Sequence, residues 1–308
     1  HHSLVNFITT AITEYGLTSC DRVLQFASMS FDAAAEEIYP CLACGGRLVL
    51  RFEELLNSVP LFLQHCQALE LTVLDLPTSF WHQVTSELKN SQIRLPQSLR
   101  LVIIGGEPAR SEVVSLWQQW VGNRPRLVNT YGPTEATVVA TMYQLPDSEE
   151  PDRQWPIFPI GRAISNAQTY IFDQYLQPVP IGVTGELHIG GVGLARGYLN
   201  RPALTAEKFI GDSHSSEPGS RLYKTGDLAR YLPDGNIEYL GRIDYQVKIR
   251  GFRIELGEIE AILGQYSVVK ANAVVVHETS TTDKRLIAYL VPHQGQVIEN
   301  NALRGFMS

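Results

Sequence analysis

One stretch restricts the fold of this chain more than any other. Leu99-Arg100-Leu101-Val102-Ile103-Ile104 is rich in large apolar residues and reads as a buried strand. Gly105-Gly106-Glu107-Pro108 closes it. A helix follows, with Val113, Leu116, Trp117, Trp120 and Val121 on one face, Ser111 placed to cap it and Gly122 to end it. Leu127-Val128 then starts the next strand. Strand, glycine turn, helix and strand in that order imply a parallel unit. Such a unit sets Gly105-Gly106 beside Tyr131-Gly132 at the carboxyl edge of a sheet, where α/β proteins gather ligand-binding groups. Asn129 to Glu135 carries an amide, a phenol, a hydroxyl and a carboxylate. That set can bond a base, cover a ring, touch a phosphate and hold a hard cation. An ordinary polar turn before the β-branched run Thr137-Val138-Val139-Ala140-Thr141 would use the same residues.

The rest of the chain extends this α/β reading. Leu4, Phe7, Ile8, Ala11 and Ile12 have helical spacing, and Val23 to Ala27 is a strand. Ser30-Phe31-Asp32 opens a helix-forming run, Ala33 to Tyr39, with Asp32 and Glu36 on one face. By themselves these acids read as a first-turn carboxylate and a solvated side chain. Arg47 to Leu50 and Leu71 to Pro77 are further strands, with a helix over Val59 to Leu71. Asp75 inside the second strand is costly to bury unless paired, and alternation allows it to face outward. His65 and His82 read as surface or satisfied helix histidines. Pro146 to Pro159 reads as a surface loop, and Gly211 to Gly219 as an exposed one. Ala167–Phe172, Thr184–Gly190 and Asn236–Leu240 are short strands between glycines and prolines, so a β-rich subdomain follows. A boundary falls at Gly241-Arg242-Ile243-Asp244, dividing a core, 1–243, from a small partial α+β domain, 244–308. In the latter, Gln246 to Ile254 reads as a strand pair around Gly251, and Leu256, Ile259, Ile262 and Leu263 as a helix.

Composition removes several function classes. A net charge of −7 argues against a nucleic-acid backbone as partner. No apolar run is long enough to span a membrane, and a cytoplasmic location is expected. Four cysteines in 308 residues make no disulfide scaffold. Cys41 and Cys44 read as small apolar residues on one helical face rather than a metal or redox pair.

Five segments carry a resemblance. They are Asn129-Thr130-Tyr131-Gly132-Pro133-Thr134-Glu135, Gly185-Glu186-Leu187 to Ala195-Arg196-Gly197-Tyr198-Leu199, Tyr223-Lys224-Thr225-Gly226-Asp227-Leu228, Gly241-Arg242-Ile243-Asp244 and Gln246 to Arg253. With Ser30-Phe31-Asp32 they resemble, in order, the amino-acid adenylation domains of nonribosomal peptide synthetases, within the adenylate-forming enzymes. The resemblance implies an ATP-dependent ligase that turns an amino acid into aminoacyl-AMP, using Mg²⁺. The product then passes to the phosphopantetheine thiol of a carrier domain, with a condensation domain as a further partner.

The resemblance also implies residue roles. Tyr131 covers adenine and Asn129 bonds its amino group; Gly105, Gly106, Glu107 and Gly132 border the nucleotide. Thr134 touches phosphate oxygens, Glu135 helps hold Mg²⁺, Asp227 binds ribose, and Tyr239 and Arg242 lie near ribose and phosphates. Asp32 takes the substrate ammonium. Ala33, Glu36, Asp75, Ile103, Gly105, Thr130, Val138 and Val139 line the side-chain pocket. Two acids there call for a cation, so a basic substrate is expected: Arg or Lys, with ornithine a further option; were only one acid to face the pocket, a large polar or aromatic side chain would be the alternative. The start of a mobile lid, with Asp244 as hinge, is the implied role of the second domain. The phosphate loop and the catalytic lysine of the family are expected beyond the two ends, so no residue of the stretch is a certain catalyst and the stretch alone is expected to be weak or inactive. Alternatives are an acyl- or aryl-CoA ligase, against which Phe31-Asp32 argues, and a non-catalytic nucleotide-binding module.

Overall fold

The computed structural model describes residues 1–52, 58–90, 93–146, 157–244, 246–249, 252–280 and 283–307. They form two compact units, His1–Ile243 and Asp244–Ser308.

The first unit is organised by a seven-stranded sheet. Its strands are β1 (Arg22–Gln25), β2 (Arg47–Leu50), β3 (Val73–Pro77), β4 (Leu101–Gly105), β5 (Arg126–Tyr131), β6 (Thr141–Gln144) and β7 (Arg162–Ala163). The spatial order is β2-β1-β3-β4-β5-β6-β7; the first five run parallel, β6 is antiparallel to β5, and β7 is antiparallel to β6. Helices α1 (His2–Tyr15), α2 (Ala33–Ala43), α3 (Val59–Ala68), α4 (Thr78–Asn90) and α5 (Ser111–Trp120) cover it.

Strand periodicity divides the core in two. Val73, Leu101, Ile103 and Val128 pack with Phe7, Ala11 and Tyr15 of α1 and Cys41 of α2. Their neighbours Leu74, Val102, Ile104 and Leu127 pack with Phe62, Trp81 and Trp117 of α3, α4 and α5. Successive side chains leave a strand on opposite faces, so a sheet covered on both sides needs apolar residues at every position. That is why 101–104 reads as an unbroken apolar run. Trp81 and Trp117, with ring centroids 5.6 Å apart, anchor the second core.

Helix α5 differs from expectation in detail. Its N-cap is Arg110, so Ser111 is not the cap; Val114 and Trp117 are buried, Val113 and Val121 pack partly buried beside them as expected, and Trp120 is exposed. His65 and His82 are satisfied helix residues: a His65 ring nitrogen meets the Leu61 carbonyl at 2.8 Å, and buried His82 accepts from the Arg110 amide at 3.4 Å. Cys41 is buried and its thiol is free; burial pushes it up to about 11, so it behaves as an inert apolar group.

The β-rich part follows within the same unit. It comprises β8 (Ala167–Phe172), β9 (Gly185–Gly191), α6 (Pro202–Lys208), β10 (Phe209–Gly211), β11 (Arg221–Tyr231) and β12 (Ile237–Arg242). The strands make an antiparallel sheet ordered β10-β11-β9-β8, with β12 also on β11. The second unit holds β13 (Gln246–Ile249), β14 (Phe252–Glu255), α7 (Leu256–Gly264), β15 (Val269–Ser280), β16 (Asp283–Pro292) and α8 (Asn300–Met307). Leu256, Leu263 and Val274 form its core, whereas Ile262 is exposed. Residues 147–156 of the expected surface loop and Gly251 of the expected strand pair lie outside the described residues. No helix among the described residues is long and apolar enough to cross a membrane.

Candidate functional site

The carboxyl ends of β3, β4 and β5 stand in register, Pro77 beside Gly105 and Gly105 beside Thr130. A Cβ on Gly105 would lie 2.7 Å from Thr130 Oγ1 and 3.0 Å from the Thr130 carbonyl oxygen, so a larger residue would force Thr130 to shift. Thr130 Oγ1 donates to the Ile104 carbonyl at 3.2 Å, and Thr78 Oγ1 to that of Gly105 at 3.0 Å. Gly106 turns with φ +84°, a conformation glycine adopts at little cost, and Glu107 follows half-buried.

After β5 the chain folds back tightly. A Cβ on Gly132 would lie 2.4 Å from the Val138 carbonyl oxygen. The Ala140 amide donates to the Tyr131 carbonyl at 2.8 Å and the Val139 amide to that of Thr137 at 2.9 Å. The second bond closes a three-residue turn over Val138, which has φ 68°; Thr137 has φ 61°. Branched residues at positive φ cost on the order of 1–3 kcal/mol each. Thr137 Oγ1 donates to the Gly193 carbonyl at 2.6 Å and pins the turn. Val138 and Val139 thereby join the core that contains Ile103 and Tyr15. Of the β-branched run, only Thr141 enters a strand.

Between Tyr131 and this turn lies a single 3₁₀ turn, Thr134–Ala136. Thr134 Oγ1 donates to Asp32 Oδ2 at 2.6 Å. Asp32 is the N-cap residue of α2, yet its side chain caps no amide there. The helix thus begins with a carboxylate turned to the β5 loop, and Ala33 behind it is half-buried. Glu135 is buried and accepts from the Tyr198 hydroxyl at 2.7 Å, while its carbonyl accepts from the Ala195 amide at 2.8 Å. Tyr198 belongs to one of the resembling segments, but sequence reasoning gives it no role of its own.

One turn along α2, Glu36 is buried on the α1 side and accepts a hydrogen bond from the Tyr15 hydroxyl. Pro40 lies four residues on and has no N–H for the Glu36 carbonyl, which loosens the helix there. Asp75 is also buried, not outward-facing, and its Oδ2 has no hydrogen-bond partner among the described residues. Burial pushes Glu36 up to about 8 against the pull of the Tyr15 bond, with the Glu37 and Asp32 charges adding to the rise. Burial, then the Glu36 and Glu37 charges, hold Asp75 well above the usual carboxylate range. Glu37 has a different task. It accepts from the Phe26 and Ala27 amides at 3.0 and 2.9 Å and ties α2 to the end of β1.

On the opposite side, Tyr131 donates to Asp227 Oδ2 at 2.5 Å and Arg242 Nη1 meets Asp227 Oδ1 at 2.9 Å. Asp227 and Arg242 are register partners on β11 and β12. Burial and the Asp227 charge keep the Tyr131 phenol protonated. The Tyr131 and Tyr239 rings lie 6.5 Å apart, tilted by 40°. Asn129 is buried and spends its amide nitrogen on the Pro159 carbonyl at 2.8 Å, so its side-chain oxygen is what remains for a base amino group. No group of three His, Cys, Asp or Glu among the described residues could hold a metal. Glu135, with one oxygen already bonded to Tyr198, fits Mg²⁺ only as a single ligand beside nucleotide phosphates and water.

Residues 1–199 match the AMP-binding enzyme family. Bacitracin synthase 3 of Bacillus licheniformis is 45% identical over 289 residues, which is 94% of this chain and 4% of the relative. Malpibaldin synthetase of Mortierella alpina is 45% identical over 275 residues, 89% of this chain and 5% of the relative. Among solved structures, NpsA-ThdA, an artificially fused adenylation-PCP di-domain synthetase from Klebsiella oxytoca, has a TM-score of 0.82 at 27% identity, over 100% of this chain and 58% of that one. The chain therefore spans a small part of the curated relatives it matches. With a parallel sheet whose carboxyl edge bears both glycine turns, and with this match, the chain belongs to the AMP-binding enzymes.

Proposed function

We propose that the protein activates an amino acid with a basic side chain as its adenylate, using ATP, for transfer to the phosphopantetheine thiol of a carrier domain. The observation that carries this reading is the 2.6 Å bond between Thr134 and Asp32. It joins an acid suited to an α-ammonium to a hydroxyl suited to a phosphate. An amino acid held at Asp32 would present its carboxylate to the α-phosphate, and little covalent work is then left for the protein beyond positioning and charge stabilisation.

The other roles follow from chemistry. Tyr131 and Tyr239 offer ring surface to adenine, and Asp227 offers acceptors to ribose hydroxyls. Gly105, Gly106, Glu107 and Gly132 leave backbone space for the nucleotide. Mg²⁺, when bound, would neutralise phosphate charge next to Glu135. In this reading Ala33, Ile103, Gly105, Thr130, Val138 and Val139 line the side-chain pocket with Glu36 and Asp75, and two buried acids favour a cation. Asp244 begins the second unit and is the hinge in this reading. NpsA-ThdA is by its title an adenylation-PCP fusion, which supports a carrier domain as partner.

The test is amino-acid-dependent pyrophosphate exchange by the full-length protein over lysine, ornithine, arginine and neutral amino acids. Exchange with cationic amino acids supports the reading. Exchange with fatty or aryl acids alone, or none with any acid, overturns it.

A further inference from the structure

Helix α1 supplies a group to the pocket that its position in the chain does not suggest. Tyr15, its last residue, is 1% exposed and donates its hydroxyl to Glu36. The ring is held from behind. Gly16 ends the helix with φ 59°. Arg100 then donates to the carbonyls of Tyr15 and Gly16, each at 3.0 Å, and grips Asp21 Oδ1 and Oδ2 at 2.7 and 2.6 Å. Asp21 is buried and also accepts from Thr72 Oγ1 at 2.7 Å. Although burial opposes it, the bonds from Arg100 and Thr72 keep the Asp21 carboxyl below its usual range, so the clamp stays ionised. A rigid ion pair at the start of β1 and β4 therefore fixes where a phenol at the end of α1 points.

On the reading of the pocket given above, we propose that Tyr15 is a positioning residue for substrate selection: its hydroxyl occupies one Glu36 oxygen and holds that carboxylate in the pocket, leaving Asp75 Oδ2 as the open acceptor for the substrate's side-chain cation. Charged and titratable groups facing Glu36 are Tyr15 on α1, Asp32 and Glu37 on α2 and Asp75 on β3. Tyr15 is the one hydrogen-bond donor to Glu36 among the described groups, so its bond favours the ionised form that a cation needs.

The experiment is pyrophosphate exchange by the full-length protein and by its Tyr15→Phe, Glu36→Gln and double variants, with lysine, ornithine and the neutral analogue norleucine, between pH 6 and 9. Tyr15→Phe keeps the ring volume, so packing survives. It is expected to raise KM for the cationic amino acids about tenfold, the scale of one hydrogen bond to a charged group. The rise of kcat/KM with pH should shift to higher pH, and KM for norleucine should not rise. In the Glu36→Gln background the same change should leave the lysine-to-norleucine ratio where it was. Equal KM losses for all three amino acids, an unmoved pH profile, or additive effects in the double variant would overturn the proposal. If the unaltered protein selects norleucine over lysine, the basic-substrate reading itself fails, and this inference falls with it.

Discussion

Two buried acids within one unit are treated in opposite ways. Asp227 has its charge answered inside the chain, by Tyr131 at 2.5 Å and Arg242 at 2.9 Å. Asp75 keeps an oxygen with no partner among the described residues, and its nearest charged neighbours are further acids. A compensated acid can stay ionised and present its lone pairs to neutral hydroxyls. An uncompensated one raises its own pKa and waits for a cation. The contrast teaches that Asp227 is compensated within the chain, while Asp75 would be compensated only by a bound cation, as the proposed function requires.

Asp32→Ala gives the largest expected effect. Removing one partner of a charged pair costs about 2–5 kcal/mol, so kcat/KM for every amino acid should fall by roughly 30- to 5000-fold in exchange assays. If only one amino acid suffers, the shared-anchor role is wrong. Asp227→Asn should raise KM for ATP about tenfold or more, by loss of charge-assisted bonds, while the ranking of amino acids is kept. A changed ranking would break the separation between the two acids.

Glu36→Gln sharpens the contrast through stability. The folded-state value of Glu36, about 8, lies above the value near 4.5 for a free side chain. Its contribution is therefore full below about pH 4.5 and is lost as pH rises through 8. Glutamine removes that loss, so the melting temperature should rise by roughly 2–4 °C at pH 8.5 per kcal/mol relieved, with less gain at pH 5. In the unaltered protein, KM for a cationic amino acid should fall between pH 6 and 9 as the acids ionise. A flat profile would mean that the pocket acids do not meet the substrate. Val138→Gly gives the smallest effect: relief of positive φ, on the order of 1 kcal/mol, against lost packing, read as a small shift in the denaturation midpoint.

Much of this arrangement was legible in residues 99–135. Apolar runs reveal strands buried on both faces, and two glycine turns mark the carboxyl edge of the sheet. Asp32 and Asp227 were named from the sequence because motifs surround them, and the structure bonds them to Thr134 and to Tyr131 and Arg242. Tyr15 was not, since the apolar stripe of α1 runs through Ile12 and one more aromatic looks like core. Glu36 and Glu37 are adjacent and alike in sequence, yet one faces Tyr15 and the other two backbone amides. Only helix phase against β1 separates them. Thr137 and Val138 have strand-forming side chains but sit at positive φ, because Gly132 lets the chain fold back against them. Trp120 at the end of α5 is exposed while Val114 is buried, although Val113, Trp117 and Val121 keep their expected places on the core face.

Thr130 and Tyr131 are consecutive on β5, so the pleat sends them to opposite faces: Thr130 bonds the Ile104 carbonyl and Tyr131 reaches Asp227. In the proposed roles, odd and even positions there would address different molecules. An engineer could therefore rewrite which monomer is accepted along one parity and leave the energy-coupling half of the enzyme intact along the other. The pleat makes the two tasks separately evolvable.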